Sequence, residues 1–159
     1  MRRSLIALSL ALFPAIAPAG GDHAHHVSEA DGLRLLHVWT PARSAGEEAL
    51  IYLELENLSG ADTALTGGAA LAQPLQVVGF QYGSSGERWV VLPALPLTAG
   101  HKVALEPRVL ALRLDRLPRA LTAGDALEIA VQIGDVHLDA HAEIGARNAT
   151  AHSHAGHVH

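Results

Sequence analysis

From Ala126 to Ile144 apolar and polar residues alternate, and Gly134-Asp135 breaks the alternation at its centre. Two period-two runs joined by two turn residues make a β-hairpin, because successive side chains on a strand point to opposite faces. The turn sets the register: Ile133 faces Val136, Val131 faces Leu138 and Ile129 faces Ala140, all inward. Gln132 with His137, Ala130 with Asp139 and Glu128 with His141 then point outward. His137 and His141 share that outer face but stand about 13 Å apart at ~3.3 Å per residue, too far to share one ion. The face reads as a solvated polar surface, with His141 and Glu128 as its closest pair.

The rest of the chain from Leu33 repeats this grammar of short apolar runs between turn signals. Strands are predicted near 33–38, 49–56, 75–82, 88–92, 102–106, 109–114, 126–133 and 136–144. In the second of these Ile51, Leu53 and Leu55 share one face and Tyr52, Glu54 and Glu56 the other. Ser59-Gly60-Ala61-Asp62, Gly67-Gly68, Gly83-Ser84-Ser85-Gly86, Ala99-Gly100 and Gly124-Asp125 punctuate the runs. Residues 61–68 and 117–121 read as loops or single turns. Phe80, Tyr82 and Trp89 are expected in the core or at its rim. No long helical period occurs, so the expectation is an all-β sandwich or barrel over residues 32–145.

The two ends differ from this domain. Met1-Arg2-Arg3 precedes the apolar run Leu5–Phe13, and Ala15-Ile16-Ala17-Pro18-Ala19 follows. The run is too short to cross a bilayer, and the order of segments is that of a secretory signal peptide over residues 1–19. The expected location is therefore periplasmic or secreted. Residues 20–31 are small and polar and read as a flexible lead, and 146–159 as a disordered tail. Removing Arg2 and Arg3 leaves nine basic against sixteen acidic residues, a formal charge of −7. Such a balance gives no basic patch for nucleic acid, and nothing after residue 19 is long and apolar enough to span a membrane. The chain has no cysteine, so its core must suffice without disulfides, which about 140 residues allow. Neither a nucleophile elbow nor a phosphate loop nor a His-Glu-x-x-His motif is present, so binding rather than catalysis is expected.

Both ends are rich in histidine. The lead carries His23, His25 and His26, and the last nine residues carry His152, His154, His157 and His159. Neutral imidazole suits copper, zinc and nickel, and clustered histidines point to metal binding. A flexible tail can curl so that up to four imidazoles surround one Cu(II) or Zn(II), with Gly156 easing the bend, and the N-terminal trio can add a second site. His37 and His101 are expected to be packed or surface residues.

One stretch resembles a known family. His37-Val38-Trp39-Thr40-Pro41-Ala42-Arg43-Ser44-Ala45-Gly46, then Tyr52, then Asn57-Leu58-Ser59-Gly60 resemble the opening of the periplasmic copper chaperone PCu(A)C family. The stretch from Arg116 to Asp125 is similar to that family's closing loop before its last hairpin. The resemblance covers about residues 30–145 and implies a cupredoxin-like, Greek-key β-sandwich. The family's copper site is a His and a Met with ten residues between them, a second His after twenty-one more, and a Met two positions later. Laid onto this sequence, those positions fall on Val78, Trp89, Ala111 and Arg113. None of these ligates, and the only methionine is Met1, so a thioether Cu(I) site is absent.

Together these features suggest an exported metal-binding protein, resembling the copper chaperones, that captures or delivers Cu(II), or Zn(II), through its His-rich termini. Its expected partners are the metal ion and a periplasmic or membrane-anchored copper acceptor. The alternative is a metal-free β-sandwich serving as an accessory or interaction module that has lost the ancestral site.

Overall fold

The computed structural model describes residues 27–84 and 86–152, and in them the chain forms eleven strands and no helix. They are β1 (Val27–Ala30), β2 (Leu33–Pro41), β3 (Ala49–Asn57), β4 (Thr63–Ala70), β5 (Gln73–Gly83), β6 (Gly86–Val91), β7 (Leu95–Leu97), β8 (Lys102–Leu105), β9 (Leu110–Leu114), β10 (Ala126–Ile133) and β11 (Val136–Gly145). Seven of them close a ring in the order β2-β11-β10-β4-β5-β9-β3, and β3 returns to β2. The remaining four are appended: β1 to β2, β8 to β3, β6 to β5 and β7 to β4. Closure removes the unpaired edges that an open sheet would expose.

β3 and β5 each pair with three strands. Ala49–Ile51 pair with β9, whereas Leu53–Glu56 pair with β8. Likewise the start of β5 pairs with β4 and Gln76–Gly79 with β9. The interior is filled by inward residues from every ring strand, among them Leu35, Ile51, Leu55, Leu65, Val77, Leu112, Val131 and Ile133, all essentially inaccessible. The β10–β11 register is the expected one at every pair, from Ile133↔Val136 to Glu128↔His141. Ile129, Val131 and Leu138 are buried, and His137, Asp139 and His141 are exposed.

All eight expected strands form, and three more join them. β4 lies where a loop was expected, and the reason is chemical. Gly67 and Gly68 are not punctuation: a Cβ on Gly67 would lie 2.5 Å from the Leu75 carbonyl oxygen, and one on Gly68 2.1 Å from that of Ala130. Only glycine lets β5 and β10 approach β4 so closely. The turn that follows is Leu71-Ala72, both left-handed at φ 50° and 58°, a hairpin turn without its usual Gly or Asn. β7 is a three-residue strand on β4.

Two boundaries also differ from expectation. The lead was taken to run to residue 31, but Val27–Ala30 is a strand, paired with β2 from Val27↔Leu36 to Ala30↔Leu33. The tail was taken to begin at 146, but residues 146–152 lie on the domain. Arg147 donates to Glu47 Oε1 at 2.6 Å and to Ser44 Oγ at 3.2 Å, and Ala149 packs on a cluster of buried aromatic and aliphatic residues. Residues 1–19, and with them the signal-peptide expectation, lie outside the described residues.

Candidate metal centre

The candidate centre is built on an irregularity in β2. Leu33 and Leu35 point into the core, so simple alternation would send His37 inward next. Instead His37 takes a left-handed backbone, φ 49°, and the register with β3 shifts between Leu36 and Trp39. The bulge changes the phase of the strand. Val38 takes the core position, His37 is turned out with 39% of its side chain exposed, and Trp39 passes to the outer face. A left-handed histidine is uncommon and such strain concentrates at functional positions.

On that outer face Trp39 stacks on Tyr52, its register partner on β3, with ring centroids 4.9 Å apart. Leu50, Val78 and Ala111 complete a second buried cluster, and half-buried Trp89 packs against it. This cluster contains three of the four positions onto which the family's copper ligands fall. The structure brings those positions together: Val78 and Ala111 are register partners, and Trp89 is the partner of Phe80 on β5, two residues beyond Val78. Arg113, two residues after Ala111, accepts no metal; it donates to Gln76 Oε1 at 2.8 Å and pairs with Asp115. The location onto which those positions fall is thus packed with apolar side chains and edged by a guanidinium. Phe80 and Trp89 meet edge to face, and Tyr82, expected in the core or its rim, is 79% exposed.

Beside this cluster a cleft of about 470 Å³ opens, with Trp39 in its lining together with His37, Glu54 and His152. His152 reaches it because residues 146–151 cross the aromatic cluster, and its side chain is only 7% exposed. The His37 and His152 rings lie 5.5 Å apart, inclined by 48°. Each has a carboxylate at one nitrogen. Glu54 of β3 stands 3.5 Å from His37 Nδ1, and Glu143 of β11 stands 3.0 Å from His152 Nε2. Glu143 is the register partner of Trp39, so the two carboxylates flank β2 from opposite sides. Glu54 also pairs with Lys102 of β8. The hydrogen bond from Lys102 holds the Glu54 carboxyl below its ordinary range, with the charges of Lys102 and His37 adding to it and desolvation opposing. Among the described residues no three His, Cys, Asp or Glu side chains form a closed metal cage.

Of the seven expected metal ligands, His152 is the one the described residues include. His154, His157 and His159, and His23, His25 and His26, lie outside them. The chain enters the described region at Val27, whose register partner is Leu36, the residue before His37. His37, expected to be an ordinary packed or surface residue, was missed as a member of this group. Its signal was the break in β2: Leu33 and Leu35 set the phase, and the next core residue is Val38. His101 and His141 match expectation. His101 is exposed at a turn with Nδ1 3.0 Å from the Ala99 carbonyl oxygen, and His141 is half-exposed 3.8 Å from Glu128.

No family model matches this sequence, and no curated protein matches it. Solved structures do. The copper-bound PCuAC domain from PmoF2 superposes with a TM-score of 0.63 at 18% identity, covering 76% of this chain and 98% of that one. The apo PCuAC domain from PmoF1 gives 0.64 at 19% identity over 76% and 99%. The apo PmoF2 PCuAC domain gives 0.63 at 17% identity over 79% and 99%. The domain described here, an all-β, cupredoxin-like sandwich closed into a ring, has the fold of the PCuAC domains.

Proposed function

We propose that the chain is an exported copper-binding protein of the copper-chaperone kind, which captures or delivers Cu(II) through its His-rich ends, with Zn(II) as the second candidate ion. The observation that carries this reading is where the ends attach. Val27 pairs beside His37, and His152 packs against His37, so both histidine clusters are tethered to one rim of the domain. In the sequence His26 directly precedes Val27, and His154 follows His152 by two residues. The likeness to a copper-bound PCuAC domain supports the choice of metal. Imidazoles without thioether or thiolate favour Cu(II) or Zn(II) over Cu(I). A domain delivering such an ion calls for a periplasmic or membrane-anchored acceptor.

A second reading has its own support. Val78, Trp89 and Ala111 occupy the family's ligand positions with apolar packing, as a metal-free accessory module would. Calorimetric titration separates the two. The wild-type chain should bind Cu(II) at pH 7.5 and lose most of that binding at pH 5.5, because imidazole ligates only when deprotonated and its ordinary pKa is about 6.5. Changing His152, His154, His157 and His159 together to Ala should weaken binding at pH 7.5 at least tenfold. Equal binding by the two proteins would remove the tail from the mechanism, and no binding by either would favour the accessory module.

A further inference from the structure

We infer that His37 and His152 form a divalent-metal subsite for Cu(II) or Zn(II) that belongs to the folded domain. It rests on the copper-binding reading above and gives that reading a fixed point, since its two ligands sit on defined backbone.

The ring separation fits one shared ion. Metal–nitrogen bonds of about 2.0–2.1 Å put each imidazole centroid about 3.2 Å from the metal, so two rings at a tetrahedral angle stand about 5.2 Å apart. The His37 and His152 centroids stand 5.5 Å apart.

The carboxylates stand where a metal-binding histidine needs them. A ligating imidazole usually gives its other N–H to a carboxylate, which fixes the tautomer and raises the basicity of the ring. Glu54 at Nδ1 of His37 favours the tautomer with the lone pair on Nε2. Glu143 at Nε2 of His152 favours the lone pair on Nδ1. The two acids also supply negative charge to offset that of the ion.

Both ligands are held by the fold. The bulge at His37 spends backbone strain to turn the imidazole out of the core line, which a regular strand would not do. His152 is held by the crossing segment, itself fastened by Arg147 to Glu47 and by Ala149 on the Trp39 cluster. Ligands fixed in this way lose little freedom on binding, in contrast to those of a tail. Two imidazoles without a third protein ligand among the described residues leave coordination positions open. Closed sites store metal; open ones accept a further ligand. The subsite therefore suits exchange, with a tail imidazole on loading and an acceptor's ligand on release.

The test uses the full chain with His23, His25, His26, His154, His157 and His159 all changed to Ala. This variant should still bind one Cu(II) at pH 7.5, with hyperfine coupling to two imidazole nitrogens in its electron paramagnetic resonance spectrum. Adding His37→Asn, which tolerates the left-handed backbone, or His152→Gln should lower affinity at least tenfold while circular dichroism stays that of the parent. Glu143→Gln, which leaves both ligands in place, should lower it by about tenfold through the lost carboxylate charge beside His152 Nε2. If the six-histidine variant binds no Cu(II) while the wild type does, the subsite is refuted and the tail reading stands. Unchanged affinity on His37→Asn also refutes it. If the wild type binds none, the copper-binding reading fails as well.

Discussion

Replacing Trp39 by Ala should cost far more than replacing Trp89, although the sequence resemblance lays a copper-ligand position on Trp89. Trp39 is 6% exposed and Trp89 is half-buried on the β5–β6 hairpin. Burying about 200 Å² of indole at about 25 cal/mol/Å² is worth about 5 kcal/mol, of which Ala keeps roughly a quarter. The site cannot collapse to recover the loss, because β2 is paired on both sides, to Glu143 and to Tyr52, at Trp39 itself. The expected cost is therefore about 4 kcal/mol, inside the range for buried Trp→Ala. For a domain of this size that lowers Tm by roughly 15 °C. Trp89→Ala should cost roughly 1–2 kcal/mol and leave copper stoichiometry unchanged, since no ligand is lost. The chain has two tryptophans, so each variant keeps one fluorescent reporter, and thermal unfolding can be followed by it and by circular dichroism. A Trp39→Ala cost below about 1 kcal/mol, or one no larger than that of Trp89→Ala, would refute the assignment of Trp39 as the centre of the outer cluster.

Three further predictions follow from local geometry. Ala72 is exposed with φ 58°, so Ala72→Gly should raise stability by about 0.5–1 kcal/mol in urea unfolding, and a loss of stability would show that the turn carries no strain. Gly68→Ala should cost more than about 2 kcal/mol, since its Cβ meets the rigid Ala130 carbonyl oxygen and β4 must part from β10; a neutral effect would disprove that close approach. Glu54 has its pKa lowered chiefly by Lys102, so the pairing stabilises the protein above the ordinary carboxylate pKa of 4.5 and is lost as pH falls through the lowered value. Lys102→Met should accordingly lower Tm at pH 7 and converge on wild type towards pH 3, whereas a Tm difference constant with pH would contradict the pairing.

The fold was legible where side-chain period and turn chemistry agreed. In β10–β11 both pointed the same way, and every pair of the register followed from Gly134-Asp135. In β4–β5 they disagreed. The glycines lie inside the strand, where two backbones come close, and the turn is made by Leu71-Ala72, which carry no turn signal. Reading Gly67-Gly68 as punctuation therefore turned a ring strand into a loop. β1 was missed because four residues with alternating exposure, Val-Ser-Glu-Ala, carry too little apolar content to register as a strand.

The site was legible only in part because its two histidines are 115 positions apart and neither lies in a regular pattern. His152 was marked by its neighbours, as one of four clustered histidines. His37 was marked by nothing in its neighbourhood except a slip in phase, Leu33, Leu35, Val38, which alternation alone reads as noise. What links them is Trp39. The same bulge that turns His37 out places Trp39 on the outer face, and a large apolar surface there must be covered. The segment 146–152 covers it with Ala149 and, in doing so, brings His152 to His37. The apolar filling of the family's ligand positions and the pairing of these two histidines are thus consequences of one packing solution. Losing the first would undo the second: a Trp39→Ala variant that still folds should release the crossing segment and with it the contact between the two rings.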